Sequence, residues 1–298
     1  MTAPATLDLG ALDGPVLCFG GPYGNSQATE ALLAQARRLG VPGANILCTG
    51  DVVAYCADPA ATVALIRHAG VHVLMGNCEE ALGLARGDCG CGFAPDSPCD
   101  VLSREWFAHA QRELAAEAKA WMAALPRRIR FVLSGRRFAV IHGGAADIGR
   151  FIFASTPARD KEREFDLLDA EAPGQPSVEA VIAGHCGLPF SELIGAKLWH
   201  NPGVIGMPAN DGRTETWFSL LMPRAHNGIE IRHLPLAYDH QAAARRMGEI
   251  ALGPAYARAL VSGLWPDMGV LPETERAGRQ KPLRPWRFAW EATKVRAA

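Results

Sequence analysis

Short apolar runs that end in turn residues alternate along this chain with amphipathic stretches of helical period. Val16 to Phe19 predicts a strand, closed by Gly20-Gly21-Pro22-Tyr23-Gly24-Asn25. A helix over 27–39 follows, with Ser26 as its N-cap and Ala28, Leu32, Leu33 and Ala36 on one face. Ile46 to Cys48 predicts a second strand, ending in Thr49-Gly50-Asp51. Asp58-Pro59 opens a helix over 59–69 that leads to a strand over 71–75, and residues 1–14 read as a loose start. Residues 86–126 break the rhythm and read as an insertion packed over the sheet near the strand ends. Within it a long helix, about 103–124, carries the stripe Trp106, Ala110, Leu114, Ala118 and Trp121. From 129 the period becomes two, a β-hairpin of 129–133 and 137–142 around Ser134-Gly135. Helical material over 157–169, a strand over 180–183 and strand pairs within 189–200 and 215–233 complete the sheet region by about Leu236.

Alternating strands and helices predict an α/β fold with a mainly parallel sheet and crossover helices. The expected division is an α/β domain over 1–238, containing the insertion, and a helical, proline-rich extension over 239–298. Asp239 caps a helix over 240–250, and Pro254, Pro266, Pro272, Pro282 and Pro285 punctuate the remainder of the extension. Trp265, Trp286 and Trp290 argue that this extension docks on the body, since free tryptophans would be costly to expose.

Four strand-plus-turn sites end in ligand-type side chains: Asp51, Asn77, His142 and His185. In an α/β sheet the crevice beyond the carboxyl ends of the strands is where ligands bind, so these four outline a metal site. Two imidazoles, one carboxylate and one amide carbonyl suit a divalent transition metal (Mn, Fe or Zn) better than Mg or Ca.

Composition narrows the partners. The 298 residues are 49% hydrophobic and 20% charged with net charge -1, which offers no field for nucleic acid or an anionic membrane. No run approaches the roughly 20 apolar residues of a membrane span, and Met1 to Gly14 lacks a secretory pattern. The expectation is a cytoplasmic protein with its 8 cysteines reduced, and a homo-oligomer remains open. Cys89-Gly90-Cys91 with Cys99 offers three thiols for zinc or an iron–sulfur cluster, but Cys-x-Cys is a poor spacing for either and no fourth ligand is obvious.

The order of the turns resembles the calcineurin-like metallophosphoesterases. Gly21-Pro22-Tyr23-Gly24-Asn25, Gly50-Asp51, Gly76-Asn77-Cys78-Glu79, His142-Gly143 and Gly184-His185-Cys186-Gly187 stand where that family carries Asp-x-His-Gly-Asn, Gly-Asp, Gly-Asn-His-Asp/Glu, His-Gly and Gly-His-x-His. Asn201-Pro202-Gly203-Val204-Ile205-Gly206 is similar to a turn of bacterial members, and the match spans roughly 15–235. The resemblance implies a four-layer α/β sandwich with a helical insertion and a C-terminal extension. It also implies phosphoester hydrolysis assisted by two metal ions. Carried over by position, one ion site reads Gly21, Tyr23, Asp51 and Gly187; the other reads Asp51, Asn77, His142 and His185. The first lacks the family's ligands except Asp51, and the second keeps all of its own.

The implied function is therefore a metal-dependent phosphoesterase, a hydrolase acting on a small phosphomonoester or phosphodiester with one retained ion. Cys78 stands where the family's His beside the leaving group would be, so Asp51, Glu79 and His200 are the catalytic candidates. Tyr23, Asn25 and Cys78 are the candidates for holding substrate. The alternative is a non-catalytic protein that binds a metal and a phosphorylated ligand on the same fold; a third reading is a redox-responsive protein using the cysteine-rich insertion.

Overall fold

A computed structural model describes residues 5–91, 93 and 96–291. Along the chain, β1 (Thr6–Leu12) and β2 (Val16–Phe19) precede α1 (Ser26–Arg38), β3 (Ile46–Cys48), α2 (Pro59–His68), β4 (His72–Val73) and α3 (Asn77–Gly83). Next come α4 (Pro98–Glu113), α5 (Ala116–Ala123), β5 (Arg128–Leu133), β6 (Arg136–Ile141), α6 (Ala158–Ala170), β7 (Ala180–Ala183), β8 (Phe190–Ile194) and β9 (Lys197–Asn201). The remainder is β10 (Thr216–Pro223), β11 (Ile229–Leu236), α7 (His240–Glu249), α8 (Pro254–Ser262), α9 (Glu273–Arg276) and β12 (Trp286–Trp290).

The strands form two six-stranded sheets, ordered β1-β5-β6-β7-β9-β8 and β12-β11-β10-β2-β3-β4. Side chains alternate across each strand, so one strand serves two layers. In β2, Val16 and Cys18 enter a core shared with Ile129, Phe138 and Ile182 of the other sheet. Leu17 and Phe19 point the other way, against Leu32 of α1 and Ile66 of α2. The outer face of the first sheet is covered by α6 through Phe165 and Leu168, packed with Val181 and Trp199. Helix, sheet, sheet and helix make the four-layer α/β sandwich. Parallel pairing of β2 with β3 and of β3 with β4, and of β6 with β7 and of β7 with β9, gathers the carboxyl ends of these strands along one edge of each sheet. No helix among the described residues is long and apolar enough to cross a membrane.

Several local expectations change. Both sheets are mixed: β5 with β6 and β8 with β9 are antiparallel in the first, which is otherwise parallel, and β10, β11 and β12 run antiparallel to their neighbours in the second, which is therefore not mainly parallel. The supposed loose start contains β1, a largely exposed edge strand beside β5, and exposure on both faces removes the apolar alternation that would reveal it. Asn25, not Ser26, caps α1: its Oδ1 accepts from the Ala28 amide at 3.0 Å. Ser26 instead donates to Asp58. The single helix over 103–124 is two, broken where Leu114 turns extended with ψ 122° and buries its side chain. The sheet region is not complete at Leu236. β12 adds an edge strand beside β11, Trp290 sinks into the inter-sheet core, and the Arg136 guanidinium lies 4.0 Å over its ring.

Candidate metal centre

Asp51 follows β3 and Asn77 opens α3, while His142 directly follows the Ile141 end of β6 and His185 stands one residue, Gly184, beyond the Ala183 end of β7. Their side chains converge around one imidazole nitrogen. His142 Nε2 lies 2.9 Å from Asn77 Oδ1, 3.1 Å from His185 Nδ1 and 3.3 Å from Asp51 Oδ2. His142 Nδ1 lies 2.6 Å from the Thr49 carbonyl, which can only accept, so Nδ1 carries a proton and, in the neutral ring that a metal would take, Nε2 is the nitrogen that presents a lone pair. A carboxylate oxygen, an amide oxygen and two ring nitrogens thus face one another. Lone pairs crowd this closely only when a cation or a shared proton separates them. Asp51, His142 and His185 each offer a ligand atom within 4.8 Å of the others, the one such His/Cys/Asp/Glu group among the described residues. The donor set fits a divalent transition metal.

Electrostatics agree with that chemistry. Burial would raise the Asp51 carboxyl, but the charge and hydrogen bond of a protonated His142, with help from His185, outweigh it and hold it below its ordinary range. Burial would conversely lower His142, and Asp51 reverses the direction. His185 is held down to about 3 by burial and by His142, which leaves a neutral imidazole as a ligand needs.

The supporting residues are backbone-directed. Glu79 is fully buried, and its carboxylate accepts from the amides of Asp51 at 2.7 Å, Val52 at 2.8 Å and Gly76 at 2.9 Å. Burial first, then the Asp51 charge, pushes Glu79 up to about 7, although the amides of Asp51 and Gly76 pull it back. Gly50 has φ +99°, and a Cβ there would stand 2.7 Å from the Gly76 nitrogen and 2.9 Å from His142 Nδ1, so the turn requires glycine. Asn77 Nδ2 donates to the Cys89 carbonyl at 2.9 Å and approaches Cys91 Sγ at 3.4 Å, which aims Oδ1 at His142. Here the cysteines depart from expectation: Cys89 and Cys91 are joined in a disulfide, closed across Gly90 with φ +62°, and the other six are free thiols. They form no group of metal-ligating side chains with Cys99, whose thiol donates to Asp267.

Residues 24–221 match the calcineurin-like phosphoesterase superfamily domain. The chain belongs to that superfamily. A metallophosphoesterase from Sphaerobacter thermophilus superposes with TM-score 0.63 at 20% identity, covering 85% of this chain and 100% of that one. A hypothetical protein from Pyrococcus horikoshii OT3 superposes with TM-score 0.69 at 15% identity, covering 84% and 99%. At these identities the likeness concerns the fold. No curated protein sequence matches the chain.

For a calcineurin-like phosphoesterase, the position of the altered turn is instructive. A Cβ on Gly21 would fall 2.4 Å from Tyr23 Cζ, and one on Gly187 would fall 3.3 Å from the Trp265 ring. The Tyr23 ring and Trp265, the latter from the extension, thus occupy the space beside the two glycines. Tyr23, Asp51, Tyr55 and His185 all have φ between 43° and 60° and all line one pocket. Such backbone costs about 1–3 kcal/mol per residue and clusters at functional sites. The pocket is partly open to solvent, and its lining also includes Phe93, Phe151, Tyr256, Trp265 and Asp267. None of these five announces itself in sequence; the tryptophans of the extension were the only signal, and they indicated docking without a location.

The remaining candidates lie elsewhere or face inward. His200 sits in the inter-sheet layer, not the pocket, where Nδ1 meets Ser191 Oγ at 2.9 Å and Nε2 meets Ser219 Oγ at 2.7 Å. Its place at the end of β9 suggested the site, but strand alternation turns it inward. Asn25 caps α1 and spends its Nδ2 on the Gly206 carbonyl and Tyr238 Oη, away from the pocket. Cys78 is 1% exposed; its amide donates to Asp51 Oδ1 at 3.3 Å, and burial, then Asp51, push its thiol well up. Glu79 is walled in by the amides named above. Tyr23 alone among the substrate candidates lines the pocket.

Proposed function

We propose that this protein is a metal-dependent phosphoesterase that hydrolyses a small phosphomonoester or phosphodiester with a single ion held by Asp51, Asn77, His142 and His185. The observation that carries the reading is the convergence of Asp51, Asn77 and His185 on a His142 nitrogen whose lone pair is turned inward by Thr49. When bound, the metal would polarise a phosphoryl oxygen and make water more acidic. The ligand set supports Mn, Fe or Zn, and its charge of about +1 with a divalent ion favours an anionic oxygen in an open position. The single-ion stoichiometry is supported by the Tyr23 ring beside Gly21 and by Trp265 beside Gly187. Hydrolysis adds water at phosphorus as the bond to the departing alcohol breaks, and the water proton ends on that alcohol.

A second reading, a non-catalytic binder of a phosphorylated ligand, is favoured by one observation. Glu79 is spent on backbone amides and His200 on two serines, so neither is free to protonate a leaving group. Turnover separates the two. Chelated protein given Mn, Fe(II) or Zn is expected to release 4-nitrophenol from its phosphate esters, and Asp51→Asn to abolish this. Metal-dependent ligand binding without turnover on monoesters, diesters or nucleotides would leave the binder reading standing.

A further inference from the structure

The pocket over the metal centre handles charge unusually for a phosphate site. Its described lining contains no lysine or arginine, but it contains a second carboxylate, Asp267. Phosphate-binding sites ordinarily rely on guanidinium or ammonium groups. In their place stand phenols. Tyr23 and Tyr256 are 5% and 7% exposed, and with Tyr55 they line the pocket, their hydroxyls without hydrogen-bond partners among the described residues. Neutral donors suit one negative charge better than two.

Asp267 supplies the opposite pole. Its Oδ1 accepts from the Gly269 amide at 2.7 Å and from the Cys99 thiol at 3.1 Å, which orient the carboxylate; Oδ2 has no such partner among the described residues. Aromatic faces share the lining. Tyr256 and Tyr55 lie 4.7 Å apart, tilted by 35°, and the Trp265 ring is fixed by its Nε1–H on the Pro208 carbonyl at 2.7 Å. A cation beside aromatic faces gains from both the ring quadrupoles and the carboxylate, most of all when desolvated. A divalent ion with Asp51 carries about +1 and Asp267 carries -1, so the loaded pocket is matched by a ligand with one charge of each sign.

Resting on the phosphoesterase reading above, we propose that the substrate is a zwitterionic phosphodiester: a single phosphoryl charge at the metal centre, and an alkylammonium arm received by Asp267 among Tyr55, Tyr256 and Trp265. Asp267 is then a specificity residue that leaves the chemistry at phosphorus untouched. Hydrolysis consumes one water, releases one alcohol and leaves the ammonium arm on the phosphomonoester.

The test compares two esters that differ in one atom and its charge, 4-nitrophenyl 2-(trimethylammonio)ethyl phosphate and its carbon isostere, 4-nitrophenyl 3,3-dimethylbutyl phosphate. Full-length, Mn-loaded protein is expected to show at least tenfold higher kcat/KM on the ammonium ester. Asp267→Asn, which keeps the Oδ1 acceptor for Gly269 and Cys99, should remove that preference while retaining turnover of the isostere. Calorimetry with the corresponding methyl diesters reads the same preference without turnover. Equal affinity for the two methyl diesters, or a preference that survives Asp267→Asn, overturns the proposal. Hydrolysis of both esters at equal rates sinks it while leaving the phosphoesterase reading intact. Ammonium-selective binding with no turnover of either ester has the reverse meaning: the pocket is as described and the protein is the binder.

Discussion

Acid should destabilise this fold through the inter-sheet histidines, and replacing His200 by Gln should remove a defined part of the effect. His200 is fully buried between Ser191 and Ser219, and burial holds it down to about 3; His233, which shares Ser191, is held to about 2 by burial and by His200. Both values lie below the ordinary histidine value of about 6.5. The unfolded chain therefore binds more protons than the native one between pH 6.5 and 3, and stability falls as pH falls through that window. At pH 5 an unfolded histidine is almost wholly protonated and a native one almost wholly neutral. Each then costs about 2 kcal/mol relative to pH 8, a figure that depends little on the native value so long as it stays well below 5. Against a typical total of about 5–15 kcal/mol, that is a large share.

The assay is urea unfolding of chelated wild type and His200→Gln at pH 8 and pH 5. His200→Gln will lower stability at both pH values through lost hydrogen bonds, but its loss between them should be smaller than wild type's by about 2 kcal/mol. Taking the difference of differences cancels the titration of Asp51, His142 and His185, which both proteins share. An equal pH dependence in the two proteins would refute the assignment of a neutral, buried His200.

Three further outcomes are expected. Metal analysis of protein purified without added metal should find one equivalent per chain, lost in His142→Ala and in His185→Ala; two tightly held equivalents would reject the single-ion reading. Tyr23→Phe should change metal affinity by less than threefold, since the phenol of Tyr23 is pushed well above its usual range by burial and then by Asp51 and is a poor ligand when protonated. A tenfold weaker affinity in titration would make Tyr23 a ligand. Trp290→Ala, which empties a 2% exposed site between the sheets, should cost about 3–5 kcal/mol in denaturant unfolding, and a cost under about 1 kcal/mol would show that β12 is not part of the core.

The convergence of the candidate ligands was legible in the sequence because they sit at the ends of short apolar strands, where local period and turn glycines mark both strand and exit. Asp51 after β3, Asn77 at the start of α3, His142 after β6 and His185 after β7 are all positions of that kind, and the order of their turns carried the family resemblance. What the sequence could not show depends on pairings between distant residues. The choice of tautomer at His142 is made by the Thr49 carbonyl, 93 residues away. His200 and Asn25 have residue types that suit a site, yet strand alternation sends one between the sheets and helix geometry spends the other on a cap. Trp286 to Trp290 becomes a strand only because β11 offers it a free edge, and Trp265 and Asp267 reach the pocket only because the extension folds back over it. Local periodicity marked most of the elements and the candidate ligands at their ends; the tertiary structure alone decided which buried polar groups face the candidate metal centre, since that depends on contacts no local window contains.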